Sequence, residues 1–138
     1  MIAPTQWTDG PRGPLAYRRS EPKGRAVTLV WLGGFRSDML GEKASALHQA
    51  AEAAGWGFLR FDYSGHGESA GRFEDGTSGA WRSDALFAID TLSAGDLVLC
   101  GSSMGGWLAV LAALARPQRV RALLLLAPAP DFPTRLME

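Results

Sequence analysis

A doubly wound α/β fold with a mostly parallel sheet is predicted by three observations. Short apolar runs alternate with helix-patterned segments, three of those runs are almost continuously hydrophobic, and all three glycine-rich loops follow such a run. A strand covered on both faces reads as a continuous apolar run, whereas a strand with one wet face alternates. In this architecture, binding and catalytic groups gather at the C-terminal ends of the strands.

The first strand is LAYRRSE, after the turn DGPRGP. The run RAVTLVWLG is the second, and the loop GGFRSD leaves it. GEKASALHQAAEAAG then has a helical pattern, with Leu47, Ala50, Ala51 and Ala54 along one face and Gly55 as its stop. GWGFLRFDY is the third strand and opens into SGHGES. In GAWRSDALFAIDTLSAG the apolar residues Trp81, Ala85, Ala88, Ile89 and Leu92 recur at helical spacing, and Gly95 ends the helix. DLVLCG is the fourth strand, running through GSSMGG into the helix MGGWLAVLAALAR, which Pro117 stops. VRALLLLAP is the fifth strand, followed by APDFPTRLME. No repeat, low-complexity tract or linker divides the 138 residues, so residues 1–138 are expected to form a single domain.

Composition narrows the function. Hydrophobic residues make up 46% of the chain, enough for a packed core, and 14 basic side chains cancel 14 acidic ones. That balance excludes the basic surplus of a nucleic-acid binder and favours a small or neutral partner. The longest apolar runs, WLAVLAALA and ALLLLAPAP, are far shorter than the ~18 residues that cross a bilayer, so no membrane span is expected. The first 25 residues hold five basic and two acidic side chains, but GPRGP and EPKGR would break a targeting helix; a cytoplasmic location is the expectation. Cys100, the single cysteine, reads as a buried strand residue in a reducing compartment. No metal and no cofactor is expected.

The stretch Gly101-Ser102-Ser103-Met104-Gly105 fits G-x-S-x-G and lies between a predicted strand and a predicted helix. In such a turn the central residue is held in a strained conformation, and the flanking glycines give room where backbone crowds backbone. Ser103 is therefore the candidate nucleophile, with Gly101 and Gly105 as the elbow glycines. Ser102 in the central role would put Cys100 and Met104 at the crowded positions. Attack on a carbonyl creates an oxyanion, and the Met104 N–H at the helix start is one candidate donor. Gly33 and Gly34 let the loop WLGGFRSD fold back toward Ser103, making the N–H of Phe35 the second candidate.

On GGFRSDMLGEKA, RFDYSGHGES, WRSDALFAID and GSSMGGW, the chain resembles the α/β-hydrolase superfamily. Within it the likeness is to the abhydrolase branch that includes a mitochondrial palmitoyl-protein thioesterase and acyl-glucuronide esterase, with many bacterial relatives; the matching motifs run from about Leu32 to Asp131. The resemblance implies a Ser-Asp/Glu-His hydrolase of small-molecule acyl esters or thioesters that works through an acyl-serine. It assigns Ser103 as nucleophile and Phe35 and Met104 as oxyanion donors, and it implies a helical cap beginning near Asp131.

In that family the triad acid and histidine come later, beyond the cap, and this sequence contains neither. The expectation is an α/β-hydrolase fold truncated before the cap and the last strands, weakly active or inactive alone. A non-catalytic hydrolase fragment is the alternative. Of the two histidines, His48 reads as a helix-surface residue. His66 reads as a turn residue at the pocket rim, with a role as substitute base as the alternative. Asp62 should hydrogen-bond loop backbone, and Asp84 and Asp90 should be solvated or paired. Asp131 is a further acid candidate, because some members of the fold place their acid after this strand. The strand RALLLLAP is expected at a sheet edge, where it would promote self-association. A nucleotide-binding α/β domain is the remaining alternative, but GSSMGG lacks the lysine of a phosphate-binding loop, and no G-x-G-x-x-G leads into a helix.

Overall fold

The computed structural model describes residues 3–24, 26–34 and 37–126. Six strands form one sheet: β1 (Gln6–Gly10), β2 (Gly13–Ser20), β3 (Val27–Leu32), β4 (Gly57–Phe61), β5 (Asp96–Ser102) and β6 (Val120–Leu126). The helices are α1 (Glu42–Ala53), α2 (Ser78–Leu92) and α3 (Met104–Ala115), with a short 3-10 turn at Phe73–Asp75. The sheet order is β1-β2-β4-β3-β5-β6, with β3, β4, β5 and β6 parallel and the β1–β2 hairpin antiparallel at the other edge.

The side chains of β3, β4 and β5 alternate between two covered faces. Val30 and Leu32 of β3, Leu59 and Phe61 of β4, and Leu97 and Leu99 of β5 pack with Trp81, Ala85, Ala88 and Ile89 of α2 and Leu108, Ala109 and Ala112 of α3. On the opposite face Leu29, Trp31, Phe58 and Cys100 pack with Ala44 and Ala51 of α1. A strand buried on both sides has no polar positions to alternate with, which is the origin of the continuous apolar runs.

Three details differ from the expectations. β1, QWTDG, is a strand that was not anticipated: five residues, mostly exposed and half polar, give no periodic signal, and the pairing of Gln6–Gly10 with Gly13–Tyr17 makes it a strand. Helix α1 is rotated relative to its predicted face, with Ala44, His48 and Ala51 buried and Ala50 and Ala54 exposed. His48 is accordingly a buried residue rather than a surface one. At the β6 edge, Leu123, Leu124 and Leu125 are exposed; β5 is the neighbour with which β6 pairs among the described residues.

Candidate active site

Ser103 stands directly between the last residue of β5 and the first of α3, with no connecting loop. Its backbone has φ 56° and ψ −119°, and it is the one non-glycine residue with positive φ among the described residues. A side chain in that region costs roughly 1–3 kcal/mol and persists only where its surroundings impose it. Those surroundings are the two glycines. A Cβ on Gly101 would run into the Gly105 carbonyl oxygen and lie 2.6 Å from the Gly106 Cα. On Gly105 it would strike the Leu32 carbonyl oxygen and lie 2.7 Å from that of Gly33. Gly105 therefore serves the approach of α3 to the end of β3, a requirement that the five-residue pattern does not reveal.

The N–H of Ser103 donates to the Leu126 carbonyl (3.3 Å), and its carbonyl accepts from Gly106 N–H (3.0 Å), so the turn is tied to β6 and to the helix it opens. Met104 is the first residue of α3, where a backbone N–H has no intrahelical acceptor. Its side chain is fully buried beside Leu108 in the core and does not frame the mouth of the site. Trp107, one turn on, is half-buried.

Facing Ser103 is the start of the β3–α1 loop. A Cβ on Gly34 would be 3.4 Å from the Ser103 Cβ and from the Ser102 carbonyl oxygen. A cleft of about 440 Å³ opens here, lined by Gly33, Gly34, Ser37, Asp38, Ser102 and Ser103 among others. Phe35 and Asp131 lie outside the described residues.

The end of β4 and the loop after it support this region. Asp62 is buried; its Oδ1 accepts from Met39 N–H (2.7 Å) and its Oδ2 from Glu68 N–H (3.0 Å). Burial raises its pKa, while those two donors pull the other way. It thus bonds loop backbone, in agreement with its reading from the sequence. Gly67 (φ 48°) lies so close that a Cβ there would collide with the carboxylate. Asp84 is wholly buried on α2, its Oδ2 accepting from Ser64 N–H at 2.8 Å, with Arg12 Nη1 3.5 Å from its Oδ1. Burial raises its pKa also, opposed first by the Ser64 N–H. Its inward position was legible in its spacing, since residue 84 falls within the apolar stripe 81-85-88. Asp90 is on the surface, where Arg116 grips both carboxylate oxygens at 2.8 and 2.6 Å and lowers its pKa.

His66 is buried rather than on a rim. Tyr63, Phe73 and Trp81 pack their rings against it at 5.2–5.5 Å between centroids, and its Nδ1 is 3.1 Å from the Ser64 carbonyl oxygen. His48 belongs to another cluster. Its Nε2 lies 2.7 Å from Ser20 Oγ and 3.0 Å from Glu52 Oε1, its ring stacks on Phe58 at 4.5 Å, and its Nδ1 is buried without a hydrogen-bond partner among the described residues. Ser20 Oγ also donates to Glu52 Oε1 (2.8 Å). Serine, histidine and acid thus meet there, but a relay needs the acid on one ring nitrogen and the serine on the other. Here both are on Nε2. Burial lowers the His48 pKa, assisted by Arg60 and Arg18 and opposed by Glu52.

Residues 34–137 match the family described as serine aminopeptidase, S33. The chain belongs to that family of α/β-hydrolases. The chain is 46% identical over 117 residues to the mitochondrial palmitoyl-protein thioesterase ABHD10 of Bos taurus and 44% identical to that of Homo sapiens; each alignment covers 85% of this chain and 38% of the relative. It spans less than two-fifths of the length of these curated relatives. Among solved structures it superposes on mouse alpha/beta hydrolase domain-containing protein 10 with a TM-score of 0.88 at 39% identity, covering 94% of this chain and 51% of that one. A putative hydrolase from Agrobacterium vitis gives 0.88 at 37%, covering all of this chain and 57% of that one. Est1E from Butyrivibrio proteoclasticus, solved with ferulic acid bound, gives 0.85 at 27%, covering 94% and 55%. The α/β-hydrolase fold and the ABHD10-type resemblance are thereby established for this chain. The cytoplasmic location expected from the sequence is overturned, because these curated relatives are mitochondrial by name. No helix of the described residues is long and apolar enough to cross a membrane.

Proposed function

We propose that this hydrolase cleaves carboxylic esters or acyl thioesters through an acyl-serine intermediate, with Ser103 as nucleophile. The observation that carries the reading is the backbone of Ser103, held at φ 56° between β5 and α3 and facing Gly34 across a cleft. Strain of this kind in a non-glycine residue is retained where it aims a side chain. The Ser103 Oγ attacks the acyl carbon, its proton passes to a base, and a tetrahedral oxyanion forms. The N–H groups of Met104 and Phe35 donate to that oxyanion, the first aided by the dipole of α3. Collapse expels the thiol or alcohol and leaves the acyl group on Ser103, and water then attacks the ester to release the acid.

His48 is engaged by Ser20 and Glu52, and His66 by its aromatic cage, so the acid and base are assigned to neither. The thioesterase name of the ABHD10 relatives supports an acyl thioester as substrate. Trp107, four residues after Ser103 and half-buried on α3, offers an apolar surface suited to an acyl chain.

The test is hydrolysis by the protein expressed from its complete coding sequence. Octanoyl p-nitrophenyl ester and octanoyl thioester are expected to show higher kcat/KM than their acetyl counterparts. A steady fall from acetyl to octanoyl would contradict the acyl-chain reading, and no turnover of any ester or thioester would contradict the reaction.

A further inference from the structure

We propose that Tyr63 is a positioning residue for the oxyanion-binding backbone: its hydroxyl donates to the Gly33 carbonyl oxygen at 3.0 Å and so holds the Gly33–Gly34 segment against Ser103. This rests on the serine-hydrolase reading above. The loop from β3 to α1 begins with two consecutive glycines, which have no side chains to anchor them and the widest backbone freedom of any residue. A donor made from such a backbone is accurate only if something else fixes it.

The end of β4 and the residues after it supply that fixation at both ends of the loop. At its start is the Tyr63 hydroxyl. At its far end Asp62 accepts from Met39 N–H (2.7 Å), and Arg60 Nη1 donates to the Met39 carbonyl (3.1 Å). Between these ties Ser37 N–H donates to the Gly34 carbonyl at 3.1 Å, closing a turn. A peptide unit is planar, so holding the Gly33 carbonyl fixes the plane that ends at the Gly34 Cα. The next unit carries the Gly34 carbonyl and the Phe35 N–H together, and the Ser37 N–H holds that carbonyl. The Gly33 carbonyl is also bounded on its other side by the start of α3, since a Cβ on Gly105 would come within 2.7 Å of its oxygen.

Tyr63 is fitted for the task. It is buried, its ring meets Phe61 and His66 edge-on at 5.2 and 5.5 Å, and burial together with the nearby Asp84 charge pushes its pKa far up, keeping the phenol a neutral donor.

Tyr63→Phe in the full-length protein keeps the ring and removes only the donor. Thioester hydrolysis and the rate of inactivation by a fluorophosphonate, whose phosphoryl oxygen occupies the oxyanion position, are measured per active site counted by label. Expected are a ten- to hundredfold fall in kcat, a KM changed by less than about twofold, and inactivation slowed in the same proportion as kcat. A variant whose labelled fraction falls while the remaining sites keep the wild-type rate would overturn the proposal, because that loss is one of stability alone. Ser103→Ala separates the two levels of inference. If it stays active the serine-hydrolase reading fails; if it is inactive while Tyr63→Phe keeps wild-type kcat, only the role of Tyr63 fails. Should Tyr63→Phe be too unstable to purify, 3-fluorotyrosine at position 63, a stronger donor of nearly the same shape, must leave inactivation at least as fast as wild type; slower inactivation would overturn the proposal.

Discussion

Two serines in this chain sit in contrasting settings. Ser20 has the partners a nucleophile is supposed to want, with a histidine nitrogen at 2.7 Å and a carboxylate oxygen at 2.8 Å, but it ends an ordinary sheet strand paired with Phe58. Ser103 has no such pair in its described contacts, yet it is held at positive φ between two glycines at the mouth of a cleft. At Ser20 the histidine is stacked on Phe58 and meets serine and acid at the same nitrogen, which binds α1 to β2 but puts no acid on the other ring nitrogen, where a relay needs it. The difference teaches that proximity of the right side chains is cheap, whereas a backbone forced out of its ordinary range is not, and the second is the better mark of a reactive group.

The largest effect expected from this contrast is on catalysis. Ser103→Ala in the full-length protein should lower kcat/KM for an acyl thioester by about 10⁴-fold or more, and Ser20→Ala should leave it within about threefold of wild type. The reverse ranking would exchange the roles of the two sites.

Next in size is the cost of disturbing the elbow itself. Gly105→Ala places a methyl group against the Leu32 carbonyl oxygen, and rigid backbone on both sides cannot yield. It should destabilise the protein by roughly 3 kcal/mol, the upper part of the usual range for overpacking, with a lower urea midpoint. An unchanged midpoint would mean that the close approach of α3 to β3 is not needed.

These two settings were unequally legible. The order of strands and helices from β2 to β6 was readable because β3, β4 and β5 are covered on both faces, β6 is a continuous apolar run although its leucines are exposed, and each helix carries an apolar stripe. The elbow was readable because Gly101, Ser103 and Gly105 fall within five residues of sequence, although the crowding at Gly105 comes from Leu32 and Gly33. The Ser20–His48–Glu52 cluster was not, because its members come from β2 and α1 and meet only through the rotation of that helix. A histidine at the i+4 position from buried Ala44 and three before buried Ala51 was the available signal. β1 gave no signal because its pairing partner, not its own composition, makes it a strand.

A smaller effect distinguishes the clusters by pH. The His48 pKa is lowered, so the folded state disfavours the imidazolium, and the unfolded chain binds more protons between the folded pKa and the ordinary value of 6.5. Its contribution is therefore present above about pH 6.5 and is lost as pH falls through that window. The charged groups around it are Arg60, Arg18 and Glu52. Wild-type protein should lose stability in urea melts between pH 7.5 and 5.5, and His48→Gln should lose less. Equal losses would remove His48 from the acid limb.

The most direct test of the central claim, that backbone geometry rather than neighbouring side chains marks the nucleophile, is to map the site of fluorophosphonate attachment by peptide mass spectrometry on the full-length protein. The account predicts phosphonylated Ser103 and no modification in the peptide containing Ser20. Label on Ser20, or label that survives Ser103→Ala, would contradict it.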